Sequence, residues 1–286
     1  MRKIVIILLI LVTIVTIIFQ FKPVKQMAIA VVTKATYINK EGLTIKDRVI
    51  LPEGFKRDLL QDISFQKYIL DYKLKPYGAK VINYDGSLYF NQIGHYGVLD
   101  IPVPENGLQQ CADALIRIRS EYLWDNNRKD EIGFNFTSGH YCSWQKYAEG
   151  YRPKINGNKV SFHKTAYKNH SKTNFYKYLN LIFTYSGTIS LFQELDKINS
   201  IDELQIGDML IVSGSPGHVV MIADVIVNDN GERRFLLFQG NTPAQSVHLL
   251  KNLEEPSISP WHKLELNSEI NIPGYTFASS KFVRFK

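Results

Sequence analysis

The sequence predicts an α+β fold in which a helix-rich N-terminal part packs on a C-terminal antiparallel sheet. Two patterns indicate this class. The longest helical periodicities lie at residues 108–124 and 174–185, whereas from residue 206 onward short apolar runs alternate with turn residues. Because helices followed by strands are typical of segregated α+β folds, we expect a single domain over residues 49–286.

The N-terminus carries an apolar segment. Arg2 and Lys3 precede an unbroken apolar run over residues 4–19. Such a run is long for the apolar part of a secretory signal and slightly short for a spanning helix. We expect residues 1–21 to be a membrane anchor or signal segment and residues 22–48 to be a connector. The alternative is a buried core helix, for which an apolar run directly behind basic residues is a poor pattern.

The N-terminal apolar run and the net charge together indicate where the protein is located. We expect a location in the cell envelope, either membrane-anchored and facing outside the cytoplasm or secreted, with membrane contact through the N-terminal helix. The net charge of +7 favours anionic surroundings such as a membrane surface or a cell-wall polymer, although a solvated basic surface is the alternative. No basic run with interleaved aromatic residues occurs, so we expect no nucleic-acid partner.

The first long helix is predicted over residues 108–124. Asn106 is placed to cap it, with Gln109 three residues later at the capping-box spacing. Its apolar stripe consists of Leu108, Cys111, Leu115, Ile118 and Tyr122. The shorter elements around it are a strand at 49–52, a helix at 65–72, a strand at 98–103, a strand at 132–136 and a helix at 141–147.

Turn residues separate the remaining elements. Asn156-Gly157 predicts a hairpin, and Gly187 closes the second helix, residues 174–185. Asn230-Gly231 predicts a second hairpin inside the C-terminal sheet. The strands of that sheet are predicted at 208–213, 218–227, 233–239, 246–250 and 281–285.

The candidate chemistry is that of a thiol nucleophile. Cys111 lies in the early turns of the first long helix, where the helix dipole lowers the pKa of a thiol. His218 begins a later strand and is the candidate general base. Gln239 ends the next strand, one hairpin away, where it is placed to fix the tautomer of His218. Asn241 is a second candidate for that role.

A tetrahedral oxyanion also needs hydrogen-bond donors. Gln109 or Gln110, beside the thiol, would donate together with the backbone N–H of Cys111. No His, Cys, Asp or Glu spacing is typical of a metal site, so we expect neither a metal nor a cofactor.

Each of these residues also has a structural interpretation. Cys111 lies on an apolar stripe and would serve as a core thiol, or it would form a disulfide with Cys142, which an exported protein permits. His218 would simply start a strand beside a tight turn. Gln239 would satisfy a backbone group at a strand end.

Seven short stretches of the chain resemble a bacterial family catalogued as domain of unknown function 4846. These stretches are LQQCADA at 108–114, RxRxEYL at 117–123, FNFTSG at 134–139, KYLN at 177–180, GTxSL at 187–191, GSPGH at 214–218 and PAQ at 243–245, where x marks a position outside the motif. The resemblance spans nearly all of the chain from residue 49. It implies no activity, since the family is named for lacking one.

A wider resemblance is to the NlpC/P60-type and CHAP-type papain-like cysteine amidases. It covers the helix of Cys111 and the strands over residues 206–239, with His218 after a glycine-rich turn. The resemblance implies a papain-like fold and the cleavage of peptide bonds in the cell wall. Those enzymes usually carry Asp-Cys-Ser or Asp-Cys-Gly at the nucleophile, whereas this chain has Gln110-Cys111-Ala112.

Two functions of different classes follow. The first is an exported or membrane-anchored cysteine hydrolase that cleaves an amide bond in a cell-wall peptide, with Cys111, His218 and Gln239 as its catalytic residues. The second is a non-catalytic envelope protein on the same fold that binds a wall polymer or another partner, with Cys111 in the core.

Overall fold

The computed structural model describes residues 22–286, which form an α+β structure with a large antiparallel sheet. The apolar run over residues 4–19 lies outside the described residues. The helices are α1 (Lys22–Val32), α2 (Ile45–Arg48), α3 (Phe65–Leu70), α4 (Cys111–Asp125), α5 (Trp144–Ala148), α6 (Lys172–Tyr185) and α7 (Thr188–Glu194). The strands are β1 (Phe55–Lys56), β2 (His95–Val98), β3 (Gly133–Asn135), β4 (Tyr141–Ser143), β5 (Tyr151–Asn156), β6 (Lys159–Lys164), β7 (Asp196–Ile198), β8 (Met209–Val212), β9 (His218–Asn228), β10 (Arg233–Gln239), β11 (His248–Leu250), β12 (Ile270–Ile272), β13 (Tyr275–Phe277) and β14 (Phe282–Arg284).

The main sheet has eight strands. Its order is β2-β11-β10-β9-β8-β14-β7, with β1 also paired to β9, and every pair is antiparallel. The predicted C-terminal strands are confirmed, because β8, β9, β10, β11 and β14 fall on the five predicted segments. The hairpin at Asn230-Gly231 is confirmed as well, and Gly231 has a φ of +79°, which favours glycine.

The central strand β9 is buried on both faces. Val219 and Met221 point into the core cluster that includes α4, whereas Val220 and Ile222 point into a second cluster with Phe277. This alternation follows from the two-residue period of a strand. It divides the sheet into a face covered by α4 and an opposite face covered by the hairpin β12–β13.

The helix-rich N-terminal part is not evident, and this expectation is corrected. Helices α1, α2 and α3 together cover few residues, and no helix occurs over residues 71–110 of the described chain. Turn residues interrupt this region, where Gly78 and Gly86 have φ values of +85° and +83°. Because such backbone cannot continue a helix, the region forms the short strand β2 and loops that are held by isolated bridges outside the strands.

The predicted membrane contact through an N-terminal helix is also corrected. Among the helices of residues 22–286, none is long and apolar enough to cross a membrane.

The first long helix is confirmed, but its predicted cap is wrong. Asn106 accepts a hydrogen bond from the backbone N–H of Leu108 in the preceding turn, at 3.1 Å. The helix instead begins after Gln110, whose backbone N–H donates to the carboxylate of Asp113 at 3.0 Å. The aspartate three residues after the cap therefore supplies the reciprocal bond of a capping box. As a result Cys111 is the first residue of α4.

Candidate functional site

Three polar side chains form a row across one end of the main sheet. His248 on β11 lies directly opposite Gln239 on β10, and His218 begins the next strand, β9, as a diagonal neighbour of Gln239. The His218 Nε2 and Gln239 Oε1 atoms are 2.8 Å apart, and the Gln239 Nε2 and His248 Nε2 atoms are 3.3 Å apart. All three side chains are buried.

The hydrogen bonds of this row have one consistent direction. The Nδ1 atom of His248 lies 2.9 Å from the carbonyl oxygen of Ser246, which can only accept, so Nδ1 carries the proton. Burial lowers the pKa of His248 to about 4, so the ring is neutral at pH 7 and its Nε2 accepts from the Gln239 amide. The oxygen of Gln239 then accepts from His218, which leaves a lone pair on His218 Nδ1.

His218 is therefore a neutral imidazole with a defined tautomer. Burial lowers its pKa to about 4, and the hydrogen bond with Gln239 acts in the opposite direction. Two aromatic rings cover it, with centroid distances of 4.5 Å to Tyr275 and 5.7 Å to Phe277. The hairpin β12–β13 thus closes the site from the face opposite α4.

The start of α4 meets the same end of the sheet. A Cβ atom on Gly240, the residue after β10, would lie 3.0 Å from the Cβ of Ala114 and 3.1 Å from the carbonyl oxygen of Gln110. It would also lie 3.6 Å from the Cα of Cys111. The glycine therefore permits the close approach that brings Gln239 and Cys111 to one place.

The thiol of Cys111 is protonated at rest. Its pKa is raised to about 11, first by burial and second by the nearby carboxyl of Asp113, whereas the backbone N–H groups of Ala112, Val219 and Cys111 itself act in the opposite direction. Val219 directly follows His218, so the thiol contacts the strand of the imidazole through its backbone. At pH 7 Cys111 is therefore a neutral thiol and His218 is a neutral imidazole.

Both cysteines of the chain are free and buried. The predicted alternative of a disulfide between Cys111 and Cys142 is therefore wrong. Cys142 lies on β4 opposite Phe134, and the hydroxyl of Tyr178 donates to its carbonyl oxygen at 2.9 Å.

The structure separates the amide side chains that were predicted near the thiol. Gln109 is fully buried, and its oxygen accepts from Arg117 at 2.7 Å. The oxygen of Gln110 accepts from Thr242 at 3.0 Å, which leaves its amide N–H groups without a partner among the described residues. Asn241 donates to Tyr89 at 3.4 Å, so Gln239, and not Asn241, bonds to His218.

A family model described as "Domain of unknown function (4846)" matches residues 45–284. The chain belongs to this family. The family's description names no activity, so a function for this chain can be inferred only from its own residues. Comparison with curated proteins and comparison with solved structures each find no match. A relation to the NlpC/P60-type amidases, and with it the papain-like fold, is not shown.

Three residues of this family member's site were not predicted. His248 follows a loop whose length does not define a register. Tyr275 reaches the site from a hairpin that is distant in sequence. Asp113 could have been predicted from the sequence, since a carboxylate three residues after a cap is a known pattern at a helix start.

Proposed function

We propose that the protein is a cysteine hydrolase that cleaves an amide bond. The observation that carries this proposal is the hydrogen bond between His218 and Gln239, which leaves the imidazole with an unprotonated Nδ1 at the end of the sheet where Cys111 begins α4. A base of this kind at the same end of the sheet as a thiol that begins a helix supplies two of the parts required for nucleophilic catalysis.

In the proposed mechanism His218 Nδ1 takes the proton of the Cys111 thiol. The thiolate attacks the substrate carbonyl carbon, and the carbonyl oxygen becomes an oxyanion. The backbone N–H of Cys111, at the first turn of α4, and the amide of Gln110, which has no partner among the described residues, donate to that oxyanion. The imidazolium then protonates the leaving amine, and the C–N bond breaks to give a thioester.

Water completes the reaction. His218 Nδ1 takes a proton from the water molecule while the water oxygen attacks the thioester carbonyl carbon. The tetrahedral intermediate collapses, the C–S bond breaks, and the proton on the imidazolium returns to the thiolate. Gln239 accepts from Nε2–H throughout, and this bond stabilises the imidazolium.

We further propose a peptide of the cell wall as substrate and the cell envelope as location. The net charge of +7 supports an anionic polymer as surroundings, and the apolar run over residues 4–19 supports export.

A non-catalytic envelope protein is the second candidate. One observation favours it, because Cys111 and His218 are only 6% and 3% exposed and Tyr275 covers the imidazole. In this case the thiol is a core residue and the hydrogen-bonded row stabilises the sheet.

Residue-resolved alkylation by iodoacetamide tests the proposal. The protein is labelled between about pH 5 and pH 9, a range that brackets the free-thiol pKa of about 8.5, and each cysteine is quantified by mass spectrometry. Cys142 is an internal control in the same sample, since it is equally buried. The hydrolase requires Cys111 to label faster than Cys142 at neutral pH. If both cysteines label only after denaturation, the non-catalytic function is favoured.

A further inference from the structure

We infer that His248 is a positioning residue that holds His218 in its base-competent tautomer through the amide of Gln239. Its catalytic significance rests on the proposed function, but the positioning itself is a property of the hydrogen bonds. His248 does not contact a substrate in this scheme. It acts through one intermediate side chain.

The direction of the row is fixed at its far end. The backbone of Ser246 is held by its N–H bond to the carbonyl of Ile82 at 2.9 Å, and the Ser246 hydroxyl accepts from Ile82 N–H at 3.1 Å. The Ser246 carbonyl therefore stays in place to accept from His248 Nδ1–H. This bond leaves His248 Nε2 as an acceptor, and the Gln239 amide N–H is its partner among residues 22–286.

Without this acceptor nothing in the row distinguishes the two orientations of the Gln239 amide. A rotation of the amide by half a turn would present its N–H groups to His218. The Nε2 of His218 would then have to accept, and its proton would reside on Nδ1. A protonated Nδ1 cannot take the proton of a thiol.

A purely structural role for His248 would depend on the packing of its ring and not on its ring nitrogens. Its ring lies 5.8 Å from the ring of His95 and 6.2 Å from that of Tyr89, so it also packs in an aromatic group. A phenylalanine would preserve that packing and remove both ring nitrogens. A glutamine would place an acceptor oxygen near the position of Nε2.

The experiment measures the tautomer of His218 directly. The full chain is labelled with ¹⁵N-histidine, and long-range ¹H–¹⁵N correlation at pH 7 reports which ring nitrogen carries the proton, with His218→Ala used for assignment. We expect Nε2–H alone in the wild type, a substantial Nδ1–H population in His248→Phe, and recovery of Nε2–H in His248→Gln. His262→Phe is the matched control, because His262 is also buried but lies outside the row. His248→Asn, whose side chain is too short to reach Gln239, replaces the phenylalanine variant if that variant does not fold.

An unchanged His218 tautomer in the folded His248→Phe or His248→Asn variant would overturn the inference. A changed tautomer with an unchanged rate of Cys111 alkylation would support the positioning by His248 and refute the proposed function, since the thiol would then not use His218. If the wild type cleaves an amide, kcat should fall about 10²-fold in the variant while KM is maintained, as expected for a misplaced catalytic group. A tautomer change and slower alkylation in a protein without amidase activity would refute the proposed hydrolase and support the positioning role.

Discussion

Cys111 and Cys142 are two thiols with similar burial and different surroundings. Their exposed fractions are 6% and 3%, and burial raises their pKa values to about 11 and about 12. Cys111 begins a long helix, receives backbone N–H groups and lies at the end of the sheet that holds His218. Cys142 lies within a two-stranded sheet and faces Phe134 across it.

The comparison shows that burial alone does not distinguish the two thiols. Burial raises the pKa of either thiol by removing the thiolate from water. What differs is the set of groups that would stabilise a thiolate or accept its proton. Substitutions that remove those groups one at a time should make Cys111 behave increasingly like Cys142.

Removal of the thiol itself should have the largest effect. Cys111→Ser should reduce amidase activity on the order of 10⁶-fold, as for other deletions of a nucleophile, because the hydroxyl is not ionised by this imidazole. Cys142→Ala is the matched control and should keep its activity per folded molecule. The measurement is turnover of a cell-wall peptide, with circular dichroism to confirm folding. Retained activity in folded Cys111→Ser would end the proposed mechanism.

Removal of the base should have the next largest effect. His218→Ala should lower kcat/KM by about 10²- to 10⁴-fold, the usual contribution of a positioned general base. It should also shift the pH profile of Cys111 alkylation upward, towards the profile of Cys142. Alkylation of Cys142 in the same samples shows whether the change is local. A Cys111 profile that stays in place would remove His218 from the proposed role.

Removal of the Tyr275 ring that covers His218 should have a moderate effect on Cys111 alkylation, and it should make the reaction faster instead of slower. Tyr275 lies 4.5 Å from the ring of His218, and Tyr275→Ala would open the cover over the imidazole at the end of the sheet where α4 begins. We expect Cys111 to be alkylated several-fold faster at pH 8 because reagent access increases, with the rate of Cys142 unchanged. Equal acceleration of both cysteines would indicate a general loss of packing, and no acceleration would show that Tyr275 does not limit access.

The parts of the site that depend on local signals were predictable from the sequence. Asn230-Gly231 defines a tight hairpin, and the hairpin determines that Gln239 returns to the level of His218. The thiol at the start of a helix was predictable within one turn. The residue at which α4 begins depends on whether Asn106 or Gln110 caps the helix. The structure has Gln110 as the cap, and this residue lies close to Gly240.

The remaining parts depend on contacts that are distant in sequence. Residues 240–247 connect β10 to β11, and a loop of that length leaves the register of His248 open. The cover by Tyr275 requires the hairpin β12–β13 to fold back onto the sheet. The expectation of a helix-rich N-terminal part failed because much of the chain before Cys111 forms turns and isolated bridges.

The smallest expected effect concerns Asp113, the carboxyl that caps α4. Burial raises its pKa to about 7, so it is neutral below pH 7 and negative above it, where it raises the pKa of the Cys111 thiol. Asp113→Asn keeps an acceptor for the cap and removes this charge. Above pH 7 the variant should therefore alkylate faster at Cys111, with its profile shifted down by about 1 pH unit or less, equivalent to about 1.4 kcal/mol at most. Below pH 7 the two proteins should alkylate alike.

Stability supplies the second readout for the same substitution. A carboxyl whose pKa is raised on folding binds more protons in the native state between pH 4 and pH 7, so the free energy of unfolding falls as the pH rises through that range. The wild type should lose stability relative to Asp113→Asn over this interval in urea titrations. If the two proteins keep a constant difference in stability, folding does not raise the pKa of Asp113, and an unchanged alkylation profile would then mean that its charge is too distant from the thiolate to act on it. The contrast between Cys111 and Cys142 would then depend on the backbone N–H groups and His218 alone.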